Sequence, residues 1–214
     1  RSIWVTGVQT CALPIYVSGH TGERTSLDAL AMSSGVPVIC SHTNVKALND
    51  NPRCSSDRVL EAIANSGGVI GITAFNDFHV RTSADARVPS SPQANLEKHL
   101  DQYDYLKKLV GVDHIGLGPD FTFGGVKVLP NYPVDGSPAP VEQIPETNAN
   151  GSAQSSAAEA YSSQRPWLYV KDFENISGLP SVTRGLIRRG WSTGELRKLL
   201  GENWLRVYQH VWGA

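Results

Sequence analysis

The chain has 214 residues, of which 40% are hydrophobic and 18% charged, and its formal net charge is −1. This length and composition are typical of a soluble globular protein with one good core or two small ones. The near-zero charge gives no electrostatic reason to expect nucleic acid or an anionic membrane as a partner. No apolar run approaches the roughly 20 residues that span a bilayer, and the three cysteines do not make a disulfide framework.

The first residues differ from the rest of the chain. Residues 1–15 show no hydrophobic period and lack the layout of a signal peptide. We interpret them as a non-native segment, of the kind that translated sequencing adapter leaves at the ends of gene fragments. We expect the native domain to cover residues 16–214. The compartment, cytoplasmic or exported, stays open at this point.

From residue 16 to residue 120, short apolar runs alternate with helical stretches. Strands are predicted near residues 16–17 and at 36–40, 69–75 and 114–118, with helices at 26–34, 56–65 and 92–110. Ser56 and Ser91 are the expected N-caps of the second and third helices, and Pro92 suits a first turn. Strands that alternate with helices indicate a parallel sheet, and their continuous apolar character indicates that both faces are covered. Four such units are about half of an eight-stranded barrel.

The second part of the chain is less regular. Residues 124–165 are rich in Pro, Gly, Ser, Ala and Asn, which predicts a long loop insertion. A helix is predicted at 181–189. Ser192 and Glu195 form a capping-box pattern that opens a last helix, which continues past Tyr208.

Polar side chains follow three of the predicted strands. His20, His42 and Asp120 each come after an apolar run, and the two histidines are 22 residues apart, about one βα unit. Because the carboxyl ends of parallel strands meet at one rim, we expect these side chains to lie close enough for the imidazoles to share a metal ion. The competing interpretation is a pair of hydrogen-bonded loop histidines. The remaining histidines are interpreted as surface or boundary residues: His79, His99, His114 and His210.

Four blocks of sequence carry a resemblance to a known family. They read SGHTGERTSLDAL, PVICSHTNVKALNDNPRCSSDRVLEAIANSGGVIGITAF, HLDQYDYLKKLVGVDHIGLGPDF and GLIRRGWSTGELRKLLGENWLRVY. Their order and spacing are similar to those of the renal (membrane) dipeptidase family. The resemblance implies an α/β fold in which this chain forms the C-terminal half of a (β/α)₈ TIM-type barrel. It also implies a zinc-dependent hydrolase whose substrate is a dipeptide.

The resemblance also implies roles for individual residues. His20 and His42 match histidines that bind one of two Zn²⁺ ions in the complete enzyme. Arg53 matches the arginine that holds the carboxylate of the dipeptide, and Asp120 matches an aspartate that shuttles protons to the leaving amine. The other metal ligands, a His-x-Asp pair and a bridging glutamate, are expected upstream of this chain, together with a substrate-binding histidine.

Two positions depart from the family pattern, and other interpretations stay open. Thr122 stands where the family often has a second aspartate, and Phe78 stands where some members have a tyrosine that contacts substrate. Another amidohydrolase-type barrel, such as a lactonase, is one alternative; a catalytically incomplete fragment is another. Exposed flanks of the outer strands predict poor solubility or a homodimer.

Overall fold

The computed structural model describes residues 19–33, 35–80, 92–121 and 169–212. The segment interpreted as non-native, the predicted first strand, Thr122 and the predicted loop insertion at 124–165 lie outside the described residues. No helix in the described ranges is both long and apolar enough to cross a membrane.

The described residues contain three strands and six α-helices. The strands are β1 (Cys40–Thr43), β2 (Ile70–Ile72) and β3 (Ile115–Leu117). The helices are α1 (Glu23–Met32), α2 (Asp57–Asn65), α3 (Leu96–Leu109), α4 (Leu179–Arg188), α5 (Thr193–Arg197) and α6 (Asn203–Trp212). Short 3₁₀ turns lie at Asn76–Phe78, Val112–His114 and Ile176–Gly178.

The sheet is parallel and has the order β1-β2-β3. The register pairs Ile70 with Ile115 and Ile72 with Leu117. The inner side chains of the sheet and of the covering helices are fully buried together, among them Ile70 and Ile72 of β2, Leu60 of α2, Leu100 of α3 and Leu186 of α4. The predicted α/β fold with a parallel sheet is therefore confirmed for the described residues.

Strand β1 starts later than the run at residues 36–40 predicts. Pro37 has no N–H to donate, and the Val38 N–H donates to Ser66 Oγ (3.0 Å) instead of to a neighbouring strand. The extended run of β1 therefore begins at Cys40 and continues to Thr43. As a result His42 lies inside β1, whereas the sequence placed it just after the strand.

The start of α3 also differs from the prediction. The helix begins at Leu96, and Asn95 is its N-cap, with a side-chain oxygen that accepts a hydrogen bond from the Lys98 N–H (3.1 Å). Pro92 lies outside the helix, and Ser91 lies outside the described residues. Ser56 does occupy the N-cap position of α2, but its side chain makes no capping hydrogen bond.

The C-terminal region contains a confirmed cap and a break that the sequence analysis missed. Ser192 and Glu195 form the predicted capping box at the start of α5. The last helix is interrupted at Gly201, whose φ of 173° is not helical, so α5 and α6 are separate helices. The break turns α6 onto the sheet, where the Asn203 side chain donates to the carbonyls of Val112 and Ile115, each at 2.8 Å.

Candidate active site

The structure brings the four predicted site residues together at the carboxyl end of the sheet. His20 precedes α1, His42 lies in β1, Arg53 lies in the loop between β1 and α2, and Asp120 lies three residues after β3. The ring centroids of His20 and His42 are 4.7 Å apart. Arg53 Nη2 lies 3.1 Å from His20 Nε2, and Asp120 Oδ2 lies 3.9 Å from His42 Nε2.

The ring of His42 is fixed at one nitrogen and free at the other. Its Nδ1 lies 2.8 Å from Ser41 Oγ, whereas Nε2 is buried and has no hydrogen-bond partner among the described residues. Burial lowers the pKa of His42, with Arg53 acting in the same direction and Asp120 opposing it. When Nδ1–H donates to Ser41 Oγ, the neutral ring directs the lone pair of Nε2 into the site. A buried nitrogen with an unshared lone pair suits a metal ligand.

Gly19 allows the ring of His42 to lie where it does. A Cβ atom at position 19 would come within 2.9 Å of His42 Cε1 and 3.1 Å of Nδ1. Contacts this short would displace the imidazole from its observed position. The glycine before His20 therefore shapes the space that the two rings share.

His20 is more exposed than His42, and its Nε2 lies within hydrogen-bond distance of Arg53. Burial lowers the pKa of His20, and Arg53 and His42 lower it further while Asp120 raises it. Two imidazoles that bind one zinc at about 2.1 Å hold their rings roughly 5 Å apart, close to the spacing observed. Within the described ranges, no group of three or more His, Cys, Asp or Glu side chains is arranged to hold a metal ion. The two histidines thus fit a metal as part of a larger ligand set.

Arg53 is held over an aromatic ring. Its guanidinium carbon lies 5.5 Å from the centroid of Phe78, and its backbone N–H donates to Asn51 Oδ1 (2.9 Å). Burial lowers the pKa of Arg53, but an arginine stays charged at neutral pH. Phe78, one of the two departures from the family pattern, is therefore a packing surface for the arginine.

Asp120 sits in an unusual backbone conformation. Its φ is +59°, a value that asparagine and aspartate tolerate better than most residues. The Tyr169 hydroxyl donates to the Asp120 carbonyl (3.1 Å), and the ring of Tyr169 packs against Phe121. The backbone is thereby held while the carboxylate, 52% exposed, points toward His42.

A second group of polar residues was not found from the sequence. His79 and His99 were predicted to be surface or boundary residues, and this was wrong, because they are 5% and 0% exposed. His114 is half-buried and His210 is exposed, as predicted. The buried polar chain, as we call it, consists of Asn44, His79, His99 and Tyr103.

Each ring nitrogen in the buried polar chain has a protein partner. His79 Nδ1–H donates to the Phe75 carbonyl (2.9 Å), so His79 Nε2 accepts from His99 Nδ1–H (3.0 Å), and the side-chain amide of Asn44 lies 3.0 Å from the same nitrogen. The Tyr103 hydroxyl donates to His99 Nε2 (3.1 Å). Burial lowers the pKa of His79 to about 4 and that of His99 well below its ordinary value. Both rings are therefore neutral, and their hydrogen bonds lie within the core.

The sequence contained one signal for His99. His99 lies four residues before Tyr103 and seven before Leu106, on the inner stripe of α3 that the apolar spacing predicts. Burial of His79 had no such local signal, because it depends on contact with a helix 20 residues further along the chain.

Comparison with known proteins identifies the family of this chain. The profile of the membrane dipeptidase family, peptidase family M19, matches residues 15–137 and 166–213. The chain belongs to the membrane dipeptidase family. The match to this family covers all four site residues and the buried polar chain.

Curated relatives are longer than this chain. A Klebsiella pneumoniae protein described only by its position in the pqqA 5′ region is 30% identical over 90% of this chain, which spans 53% of that protein. A dipeptidase from Aspergillus terreus is 26% identical over 90% of this chain, which spans 35% of it. The chain therefore spans about half or less of the length of these two relatives.

Solved structures with similar folds are also longer than this chain. An amidohydrolase from Pseudomonas aeruginosa aligns over 92% of this chain and 52% of its own, with a TM-score of 0.63 and 27% identity. A metallopeptidase from Rhodobacter sphaeroides, solved with a phosphinate mimic of the dipeptide L-Ala-D-Ala, aligns over 91% of this chain and 41% of its own. Its TM-score is 0.61 at 22% identity, which shows a fold shared with part of that metallopeptidase.

Proposed function

We propose that this chain supplies the C-terminal half of the (β/α)₈ barrel of a zinc-dependent dipeptidase, which hydrolyses the peptide bond of dipeptides. Family membership supports the reaction class, and the partial alignment to longer relatives supports the half-barrel. In this proposal His20 and His42 are ligands of one of two Zn²⁺ ions, Arg53 binds substrate, and Asp120 transfers protons.

The observation that carries the proposal is the free nitrogen of His42. A buried polar atom without a partner costs stability, so it calls for a missing partner such as an ion, and no partner for His42 Nε2 exists among the described residues. The ring of His20 lies next to it, at 4.7 Å between centroids. A metal ion bound by both imidazoles would satisfy the orphaned nitrogen.

Zinc, when bound, would lower the pKa of a water molecule and polarise the carbonyl of the substrate. Arg53 would bind the terminal carboxylate of the dipeptide with its planar, forked N–H groups. This contact sets the distance between the chain terminus and the scissile bond, and so favours dipeptides over longer peptides.

Asp120 is the proton carrier of this proposal. Its carboxylate is half exposed, faces His42, and is held on a backbone that Tyr169 fixes. As a general base it would take a proton from the attacking water, and as a general acid it would deliver that proton to the departing amine. Exposure leaves room for the amine to approach and leave.

Zinc titration of the full 214-residue chain tests the proposed metal site. We expect wild-type protein to bind zinc, and His20→Ala and His42→Ala to bind it at least tenfold more weakly, because loss of a residue that only orients a ligand already costs about 10- to 100-fold. His210→Ala, which changes an exposed histidine away from the site, is the matched control. Equal zinc affinity in all four proteins would contradict the metal assignment.

Hydrolysis assays separate the proposed reaction from its main competitor. Zinc-loaded protein that combines this chain with the upstream half of the barrel is tested with L-Ala-D-Ala and with a lactone under the same conditions. Faster turnover of the dipeptide supports a dipeptidase. Turnover of the lactone alone would favour another amidohydrolase-type reaction.

A further inference from the structure

The contact between Arg53 and His20 uses the atom that a metal would need. Arg53 Nη2 lies 3.1 Å from His20 Nε2. A guanidinium carries only donors, so the nitrogen of His20 must be the acceptor and must offer its lone pair to the N–H. A ring nitrogen has a single lone pair in its plane. Arg53 and a metal ion therefore cannot bind His20 Nε2 at the same time.

The backbone of Arg53 is anchored in its loop, and its guanidinium contacts a neutral imidazole and an aromatic ring. The loop backbone is held by the Arg53 N–H to Asn51 Oδ1, and the guanidinium rests on Phe78. No ion pair of Arg53 with a carboxylate is present in the part of the chain that the structure describes. The neutral imidazole of His20 is thus its polar anchor, and a neutral acceptor is weaker than a carboxylate.

We propose that Arg53 caps the metal-binding nitrogen of His20 in the metal-free protein and is released when the metal binds. The released guanidinium is then available to a carboxylate ligand, so metal binding favours carboxylate binding. This inference rests on the proposed function in one respect, namely that His20 is a metal ligand. By reciprocity, a carboxylate that holds Arg53 away from His20 strengthens metal binding.

The reactivity of Arg53 toward phenylglyoxal, measured by peptide mapping and mass spectrometry, reports the cap directly. In the metal-free chain, His20→Ala removes the acceptor and should raise the modification rate of Arg53 roughly 2- to 10-fold, the range that one hydrogen bond implies. One equivalent of zinc should raise it similarly in wild type, and should leave the rate in His20→Ala unchanged. Arg24 and Arg58, both exposed, are internal controls in the same digests.

Arg53→Gln provides a second, independent readout. Removing the cap should strengthen zinc binding about 2- to 10-fold relative to wild type, whereas Arg58→Gln should leave zinc binding unchanged. A general effect of positive charge is screened by salt, so the titrations are run at 0.1 M and at about 0.5 M salt. A gain that persists at the higher salt supports the cap, and a gain that disappears there overturns it.

The outcomes separate this inference from the proposed function. If wild type binds zinc but neither zinc nor His20→Ala changes the rate at Arg53, the exchange is wrong and the metal site stands. If the chain binds no zinc, or binds it equally in His20→Ala, the proposed metal site fails, and the release step fails with it. His20 is exposed, so its replacement by Ala is expected to fold; circular dichroism checks this.

Discussion

The ring centroids of His20 and His42 lie 4.7 Å apart at the carboxyl end of the sheet, whereas those of His79 and His99, the core pair, lie 5.1 Å apart inside the core. The spacing is similar, but the partners differ. Every ring nitrogen of the core pair is hydrogen-bonded to protein, while His42 Nε2 has no partner among the described residues. A close pair of histidines therefore does not by itself mark a reactive site. The unshared lone pair of His42 Nε2 distinguishes the pair at the edge of the sheet from the core pair.

We call the group of His20, His42, Arg53 and Asp120 the open site. Replacing Asp120 with Asn should have the largest effect, because it removes the proposed proton carrier from this site. In zinc-loaded protein that also contains the upstream half of the barrel, we expect turnover of dipeptides to fall about 100- to 10,000-fold, the usual contribution of general acid–base catalysis. Zinc content, measured in the same preparation, should not change. Loss of zinc would instead make Asp120 a ligand.

Acid should destabilise the core pair. The pKa of His79 is held at about 4 in the folded protein and is 6.5 when unfolded, so the unfolded chain binds a proton that the folded one refuses. Stability is therefore complete above pH 6.5 and is lost as the pH falls toward 4. The loss is about 3 kcal/mol for His79, and His99 adds to it in the same direction.

Urea unfolding at pH 7 and at about pH 4.5 measures this loss. The prediction can be contradicted in two ways. Stability that is equal at the two values would mean that His79 is not neutral in the folded core, and stability that increases toward acid would mean that the pair is charged and paired.

Gly19→Ala should disturb the open site and leave the core intact. The added methyl group would lie 2.9 Å from His42 Cε1, so the ring must shift by a few tenths of an ångström. We expect zinc affinity to fall several-fold, about 1 kcal/mol, because ligand geometry must be held tightly. Gly22→Ala is the matched control, since a Cβ atom there meets nothing within 4 Å.

An unchanged zinc affinity in Gly19→Ala would show that the ring of His42 has more freedom than its buried environment indicates. A similar loss in both glycine variants would point to the segment before α1 rather than to the ring.

Tyr103→Phe should affect the core pair and leave zinc binding unchanged. It removes the hydroxyl that donates to His99 Nε2, at a cost of about 1–2 kcal/mol in the free energy of unfolding. Zinc affinity should stay at the wild-type value, because Tyr103 does not contact His20 or His42. A change in zinc affinity without a change in stability would reverse the assignment of the two pairs.

Much of this arrangement could be predicted from the sequence. Apolar runs alternating with helical spacing predicted the parallel sheet, and the capping box at Ser192 and Glu195 is local chemistry that four residues specify. The residues at the carboxyl ends of the strands could be placed together because parallel strands share one rim. Such features depend on short-range patterns or on simple topology.

Other features depended on contacts that the sequence does not show. Ser91 and Asn95 are both good caps, four residues apart, and composition does not choose between them. Gly201 is tolerated in a helix or breaks one, according to what the following turn packs against. The burial of His79 required knowing that α3 would cover it, and the free nitrogen of His42 required its full three-dimensional surroundings.

Long-range ¹H–¹⁵N NMR of the histidine rings during zinc titration tests the central claim most directly. The account predicts that the Nε2 resonances of His20 and His42 shift together as one equivalent of zinc is added, while those of His79 and His99 stay in place. Shifts confined to the core pair, or a shift of His20 without His42, would contradict it.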